Sequence, residues 1–228
     1  MDALILNFFN ISILQQAWPY LVKGLGMTVL LCLVVIPLGV AGGLLVALAS
    51  RAPSRWIRWA LIAYVDFFRA FPPLVLLMFI AFGLPFLGVD LPAFAAVALA
   101  FLLNTSSYYG EIFRAGIDSI PRGQFEAARS LGLVPTQYMR RVILPQAVRN
   151  VLPDLIGNTL EVVKLTSIAS VVALPELLYA ARQAQAVTYN ATPVIAAGII
   201  YLVCLWPLVR LLSRYEHKHL DSQPQTAR

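Results

Sequence analysis

The sequence predicts an all-α fold: a polytopic membrane protein of about five transmembrane helices, with its N-terminus outside and its C-terminus inside. Three observations carry that prediction. The 228 residues are 60% hydrophobic and only 12% charged, too apolar a balance for an ordinary soluble domain. Charges vanish from long runs: none falls in residues 24–50, 70–89, 91–110 or 183–209, and roughly 20 apolar residues cross the hydrocarbon core. With the N-terminus outside, 13 Lys and Arg residues fall in inside segments and 2, Lys23 and Arg182, in outside ones. The reverse orientation would carry those arginines through the bilayer.

The elements follow in order. The opening Met1-Asp2 lacks the basic stretch of a cleaved signal peptide, and Asn7 and Asn10 interrupt the apolar run behind it. Residues 4–14 are therefore expected along the outer interface, with Trp18 and Tyr20 anchoring the first span. That span carries Pro37, which can kink it, and Gly39 and Gly43, four apart, which let another helix approach closely. Residues 51–58 make a short inside turn marked by Pro53. In the second span Pro72 and Pro73 break or bend the helix, and the carbonyls they free need partners. Residues 88–92 turn outside, and the third span descends to Glu111.

Residues 112–150 are polar yet rich in helix formers, so they form an inside loop. Pro121 suits a helix start and Gly132 its stop; Pro135 suits a second start, with an end near Pro145. The fourth span, residues 152–172, is apolar but holds Asp154, Glu161 and Lys164. Residues 175–192 lie outside and residues 193–212 return. Residues 213–228 form a basic cytoplasmic tail that snorkels at the inner leaflet. Residues 1–228 read as one transmembrane domain without internal repeats.

The net charge of +6 lies on inside loops, which argues for a membrane and against a nucleic-acid partner. Cys32 and Cys204 sit in apolar spans as packing residues, so neither disulfide nor metal is expected. No Gly-rich phosphate loop, Ser-His-Asp set or paired catalytic carboxylates stand out, so no cofactor, enzymatic activity or nucleotide hydrolysis is expected of this chain itself.

The loop carries the most specific signal. Tyr108-Tyr109-Gly110-Glu111 leads to Ile120-Pro121-Arg122-Gly123-Gln124, then Glu126-Ala127-Ala128, Gly132, Leu144-Pro145-Gln146-Ala147 and Lys164-Leu165-Thr166-Ser167. This string resembles the polar amino acid uptake branch of the ABC importer permeases (the histidine, glutamine and glutamate permeases among them), and more loosely the likeness runs from Gly24 to the tail. Val142 stands where that branch usually has Ile, and Ala70-Phe71 where many members have Gly-Thr. The stretch 174–189 resembles histidine and basic amino acid permeases. The resemblance implies a bacterial inner-membrane subunit that moves a polar amino acid by alternating access. It implies four partners: an ATP-binding cassette ATPase dimer, an extracytoplasmic amino-acid-binding protein, a second permease subunit, identical or homologous, and membrane lipid. It assigns coupling to the ATPase to Glu126, Ala127, Ala128, Gly132, Leu144 and Pro145. Physically, Gly132 permits φ > 0 between two helices, and two alanines let a short helix seat in a partner's groove.

The intramembrane charges leave alternatives open. Glu161 and Lys164 share a helix face; they either line the substrate route, with Thr166 and Arg69 beside them, or neutralise each other. Asp66 and Arg69, at the same spacing near the inner interface, are expected to pair. An ion- or proton-coupled secondary amino acid transporter with Glu161 titrating is the alternative function. Five spans without an inverted repeat are few for such folds.

Overall fold

Asn10 starts the first long helix. Its Oδ1 accepts from the Ser12 and Ile13 amides at 3.1 and 3.3 Å, supplying partners that the first turn lacks. Helix α1, Ile11–Ala49, then runs for 39 residues through both Pro19 and Pro37. In the computed structural model residues 7–221 are described, with side chains through 210 and at 212. The expected interfacial segment 4–14 therefore lies partly outside the described residues, and residues 11–14 are the first turn of α1, because nothing breaks the helix after Asn10. The basic side chains of the tail lie outside as well.

Helix α2, Arg55–Ala70, stops at Phe71 because Pro72 and Pro73 donate no hydrogen bond and Pro72 disfavours a helical Phe71. Helix α3, Pro73–Met78, continues through a wide π turn, Phe79–Gly83, and a 3-10 turn, Leu84–Leu87. The two halves are bent by 102°. The freed carbonyls find partners four residues back from each proline. Asn104 Nδ2 donates to Phe68 O at 3.1 Å, and the Tyr108 hydroxyl donates to Arg69 O at 3.4 Å.

Both donors stand on α4, Ala93–Asp118, the helix most enclosed by its neighbours. α1 lies along it at backbone distance. A Cβ added to Gly43 would stand 2.4 Å from Tyr109 Cβ and 2.7 Å from Gly110 N, and one on Gly39 would stand 2.3 Å from Thr105 Oγ1. The glycine pair thus does what its spacing suggests. Residues 104–107 of α4 are polar and buried, which is tolerable where protein replaces lipid. Ser106 Oγ meets the Tyr64 hydroxyl at 2.7 Å, and Ser107 Oγ donates to Asn104 O at 2.6 Å.

The loop follows as α5, Arg122–Ser130, and α6, Pro135–Tyr138. A π turn, Met139–Ile143, then leads directly into α7, Leu144–Asn150. Helix α8, Leu152–Leu165, extends as a 3-10 turn, Thr166–Val172. After it come the short α9, Leu177–Thr188, and α10, Thr192–Asp221. Non-glycine residues in the left-handed region, Ala173 (φ 57) and Tyr189 (φ 50), bracket α9.

By length and composition Ile11–Ala49, Leu152–Val172 and Thr192–Arg210 can cross a membrane, and the bent pair 55–87 makes up to four. α4, at 26 residues, is long enough but owes its place to burial rather than to an apolar surface.

Away from the loop, α9 is locked onto α1. A Cβ on Gly24 would meet Ala180 Cβ, Glu176 O and Leu177 Cα, each at 2.9 Å. The Leu177 amide donates to Thr28 Oγ1 at 3.1 Å. Glu176, fully buried, caps α9 by accepting from the Leu178 and Tyr179 amides at 2.8 and 2.7 Å. It also accepts from the Tyr201 hydroxyl of α10 at 3.2 Å. Burial raises its carboxyl above the ordinary range, partly offset by these hydrogen bonds.

Candidate functional site: an inner loop and the cleft above it

The loop is built on a glycine C-cap. Gly132 sits at φ 75; its amide donates to Arg129 O at 2.9 Å, and the Leu133 amide donates to Ala128 O at 3.2 Å. These two bonds are the Schellman closure, which needs a residue in the left-handed region. A Cβ on Gly132 would touch nothing, so the requirement is conformational and not steric.

The two alanines part company. Ala128 is buried against the molecule's own core, in the same cluster as Tyr138 and Ile143, while Glu126 and Ala127 are exposed. Tyr138 holds α5 from below: its ring meets Phe125 edge-on at 6.1 Å, and the Arg129 guanidinium lies 5.8 Å from its centroid. Leu131 and Val134, on either side of the turn, are 80% and 51% exposed. They lie outside the family-like motif, although two apolar residues flanking a glycine turn in a polar loop are a legible signal.

The second loop helix does not end near Pro145. Pro145 has no N–H for a bond to Arg141 O, and the preceding π turn absorbs the defect. Leu144 N donates back to Met139 O, and Gln146 Nε2 covers Val142 O at 2.8 Å. The helix then continues to Asn150. Leu144 packs against the core and Pro145 faces out.

The loop is fastened to α4. A Cβ on Gly116 would stand 2.9 Å from Ala147 O and 3.0 Å from Val151 Cγ1. Asn150 Nδ2 donates to Ser119 Oγ at 2.9 Å. Arg114 bridges Glu111 (Nε to Oε2, 2.9 Å) and Asp118 (Nη1 to Oδ2, 2.7 Å), and Arg51 from the α1–α2 turn pairs with Asp118. The Arg114 hydrogen bond holds Glu111, past the charge-free run, below the ordinary carboxylate range despite partial burial.

Above the loop, Glu161 and Lys164 pair with each other, and they border a cleft of about 310 Å³. Pro73, Asn104, Tyr108 and Asn158 line it too. Asn158 Nδ2 is buried and without a hydrogen-bond partner among the described residues. Arg69 does not pair with Asp66 as its spacing suggested. Its guanidinium lies 5.5 Å from the Tyr108 ring centroid, while Asp66 faces a separate cavity with Arg58, Glu111 and Arg114. Tertiary contact with an aromatic face has replaced the local ion pair. Thr166 is not brought to the cleft. It is fully buried, and its hydroxyl donates to Val163 O at 2.6 Å. Cys32 and Cys204 are free thiols beside an apolar cleft.

Residues 39–218 match the family described as binding-protein-dependent transport system inner membrane component. The chain is 36% identical over 198 residues to the probable amino-acid ABC transporter permease protein YckA of Bacillus subtilis, covering 86% of this chain and 88% of that one. It is 35% identical over 202 residues to the arginine transport system permease protein ArtQ of the same organism, covering 88% and 92%. Among solved structures, a crystal structure of an amino acid ABC transporter with histidines superposes with a TM-score of 0.81 at 37% identity, covering 90% of this chain and 96% of that one. The MetNI methionine ABC transporter, at a TM-score of 0.73 and 22% identity over 86% and 94%, shares the fold. The chain belongs to the ABC importer permeases, the inner-membrane components of binding-protein-dependent transport systems.

Proposed function

We propose that this permease moves a polar amino acid by alternating access and is driven through the loop of residues 126–132 by a separate ATPase dimer. The observation that carries the reading is the build of the loop. An exposed tip, Ala127, Leu131 and Val134, is turned by a glycine at φ 75 and fastened to α4 through Gly116, Asn150 and Ser119. A push on such a tip reaches α4 as a rigid displacement, because its junction has no room to yield. ATP energy enters this chain only through contacts that differ between its two states. An extracytoplasmic binding protein delivers the amino acid, and a second permease, identical or homologous, completes the path. Names of relatives support the substrate class: ArtQ for arginine, TcyB for L-cystine and GlnM for glutamine.

The cleft beside Glu161 and Lys164 is the proposed route. The pair supplies one carboxylate and one ammonium, and Asn158 adds a side-chain amide, groups that complement a zwitterion. Thr166 is left out of the route.

The test is reconstitution with the co-purified ATPase and binding protein in liposomes. Gly132→Trp is expected to leave the complex assembled and the membrane insertion intact while uptake falls to background. Normal uptake by that variant would sink the coupling role. Purification without any ATPase subunit, in a mild detergent that preserves related complexes, would sink the importer reading for this chain.

A further inference from the structure

A groove of about 580 Å³ between the outer end of α1 and α9 takes no part in that mechanism. Its floor is small and apolar, with Ala17, Gly24 and Ala180, and its rim carries Tyr20, Lys23 and Gln183. Lys23 is the sole charged residue lining it, and it forms no ion pair among the described residues. A lone cation on the outer side runs against the inward bias of the basic residues in this chain, so it calls for an anion supplied from elsewhere.

Depth says where that anion comes from. Counted up from Ala49, about 20 residues of α1 cover the ~30 Å core, which puts Lys23 roughly two turns beyond it, at headgroup level. Two turns below Lys23 and on its side of the helix, Leu30 is 47% exposed. Tyr20, 63% exposed, stands at the rim as interfacial aromatics do.

We infer that this groove holds one anionic phospholipid of the outer leaflet, with its phosphodiester on Lys23 and an acyl chain descending past Leu30. The small floor admits the glycerol backbone, and the rim hydroxyl of Tyr20 and amide of Gln183 supply donors to the headgroup oxygens. The occupied groove braces α9 against α1 at the junction centred on Gly24. This inference goes beyond the coupling reading, and its test needs no ATP turnover.

The transporter complex, purified in mild detergent, is titrated with phosphatidylglycerol or phosphatidylcholine of matched chains and read by native mass spectrometry. Phosphatidylglycerol is expected to be retained about fivefold better, the worth of one surface cation. Lys23→Gln removes the preference, Lys23→Arg keeps it, and Arg182→Gln, which changes the other outer cation, leaves it unaltered. Equal retention of the two lipids, or equal effects of Lys23→Gln and Arg182→Gln, overturns the inference. So does ready disulfide pairing of Gln183→Cys between two copies in native membranes, since the groove would then be a protein interface.

Discussion

The loop end of the bundle, inner in the expected orientation, and the opposite, outer end are joined by opposite electrostatics. At the inner end the Arg114–Glu111–Asp118–Arg51 chain ties α1 and α4 together with charges that water can reach. At the outer end one fully buried carboxylate, Glu176, ties α9 to α10 while Thr28 and Gly24 seat it on α1. Exposed ion pairs contribute little singly and are screened by salt. The stiffness of the inner junction therefore comes from the close backbone packing at Gly116 and Gly43, and its charges serve orientation. At the outer junction the polar node is itself the joint, because its two half-buried amide partners would otherwise lose their acceptor.

The largest expected effect tests the packing. Gly43→Val should cost at least about 3 kcal/mol, since the intruding carbons meet Tyr109 and the Gly110 amide, which cannot swing away. It reads out as loss of a monodisperse peak in detergent chromatography, and a well-behaved variant would mean that α1 and α4 lie farther apart. Next comes Glu176→Ala, expected to lower the thermal midpoint by the equivalent of about 2 kcal/mol through the lost cap. Glu176→Gln, which keeps one acceptor oxygen, should lose clearly less; equal losses would show that the carboxylate's charge matters more than its cap.

The comparison sharpens with pH. Glu111 is lowered by Arg114, so its stabilising share is present above the ordinary carboxylate range and is lost as acid titrates it through its folded value. Glu176 is raised by burial, so its share is full below the ordinary range and declines as pH rises through its folded value. Proteolysis mapped from acid upward should therefore find the inner junction most open at the acid end and the α9 region most protected there. Both opening together would erase the contrast. The smallest effect is expected from Asn150→Ala, about 0.5 kcal/mol or less, because the bond to Ser119 is exposed. A loss several times that would place the hinge of the loop at α7.

Much of this was legible in the sequence where one residue type has one physical use. Charge-free runs mark spans, glycines four apart mark the α1–α4 contact, and Gly132 marks the loop's C-cap. The doubled proline announced free carbonyls but could not say that Asn104 and Tyr108 would fill them, since those donors come from another helix. For the same reason Asp66 and Arg69 misled: local spacing favours a pair, and the Tyr108 face, 39 residues away from Arg69, decides otherwise. Ala127 and Ala128 are indistinguishable by type, and only the fold buries one of them. Pro145 was ambiguous in kind, because a proline that ends a helix and one that follows a π turn look alike in one dimension.

That π turn also sets a chain-length requirement. Buried residues on this segment fall at Tyr138, Ile143 and Ala147, spacings of five and then four, so the wide turn holds one residue more than a regular helix would. Adding a residue to the turn would rotate everything after it by about 100°. Ala147 would leave Gly116, and Asn150 would leave Ser119. The permease should accept many substitutions in this turn but no insertion, whereas loss of one residue would close it to a regular helical turn with Ala147 on nearly the same face.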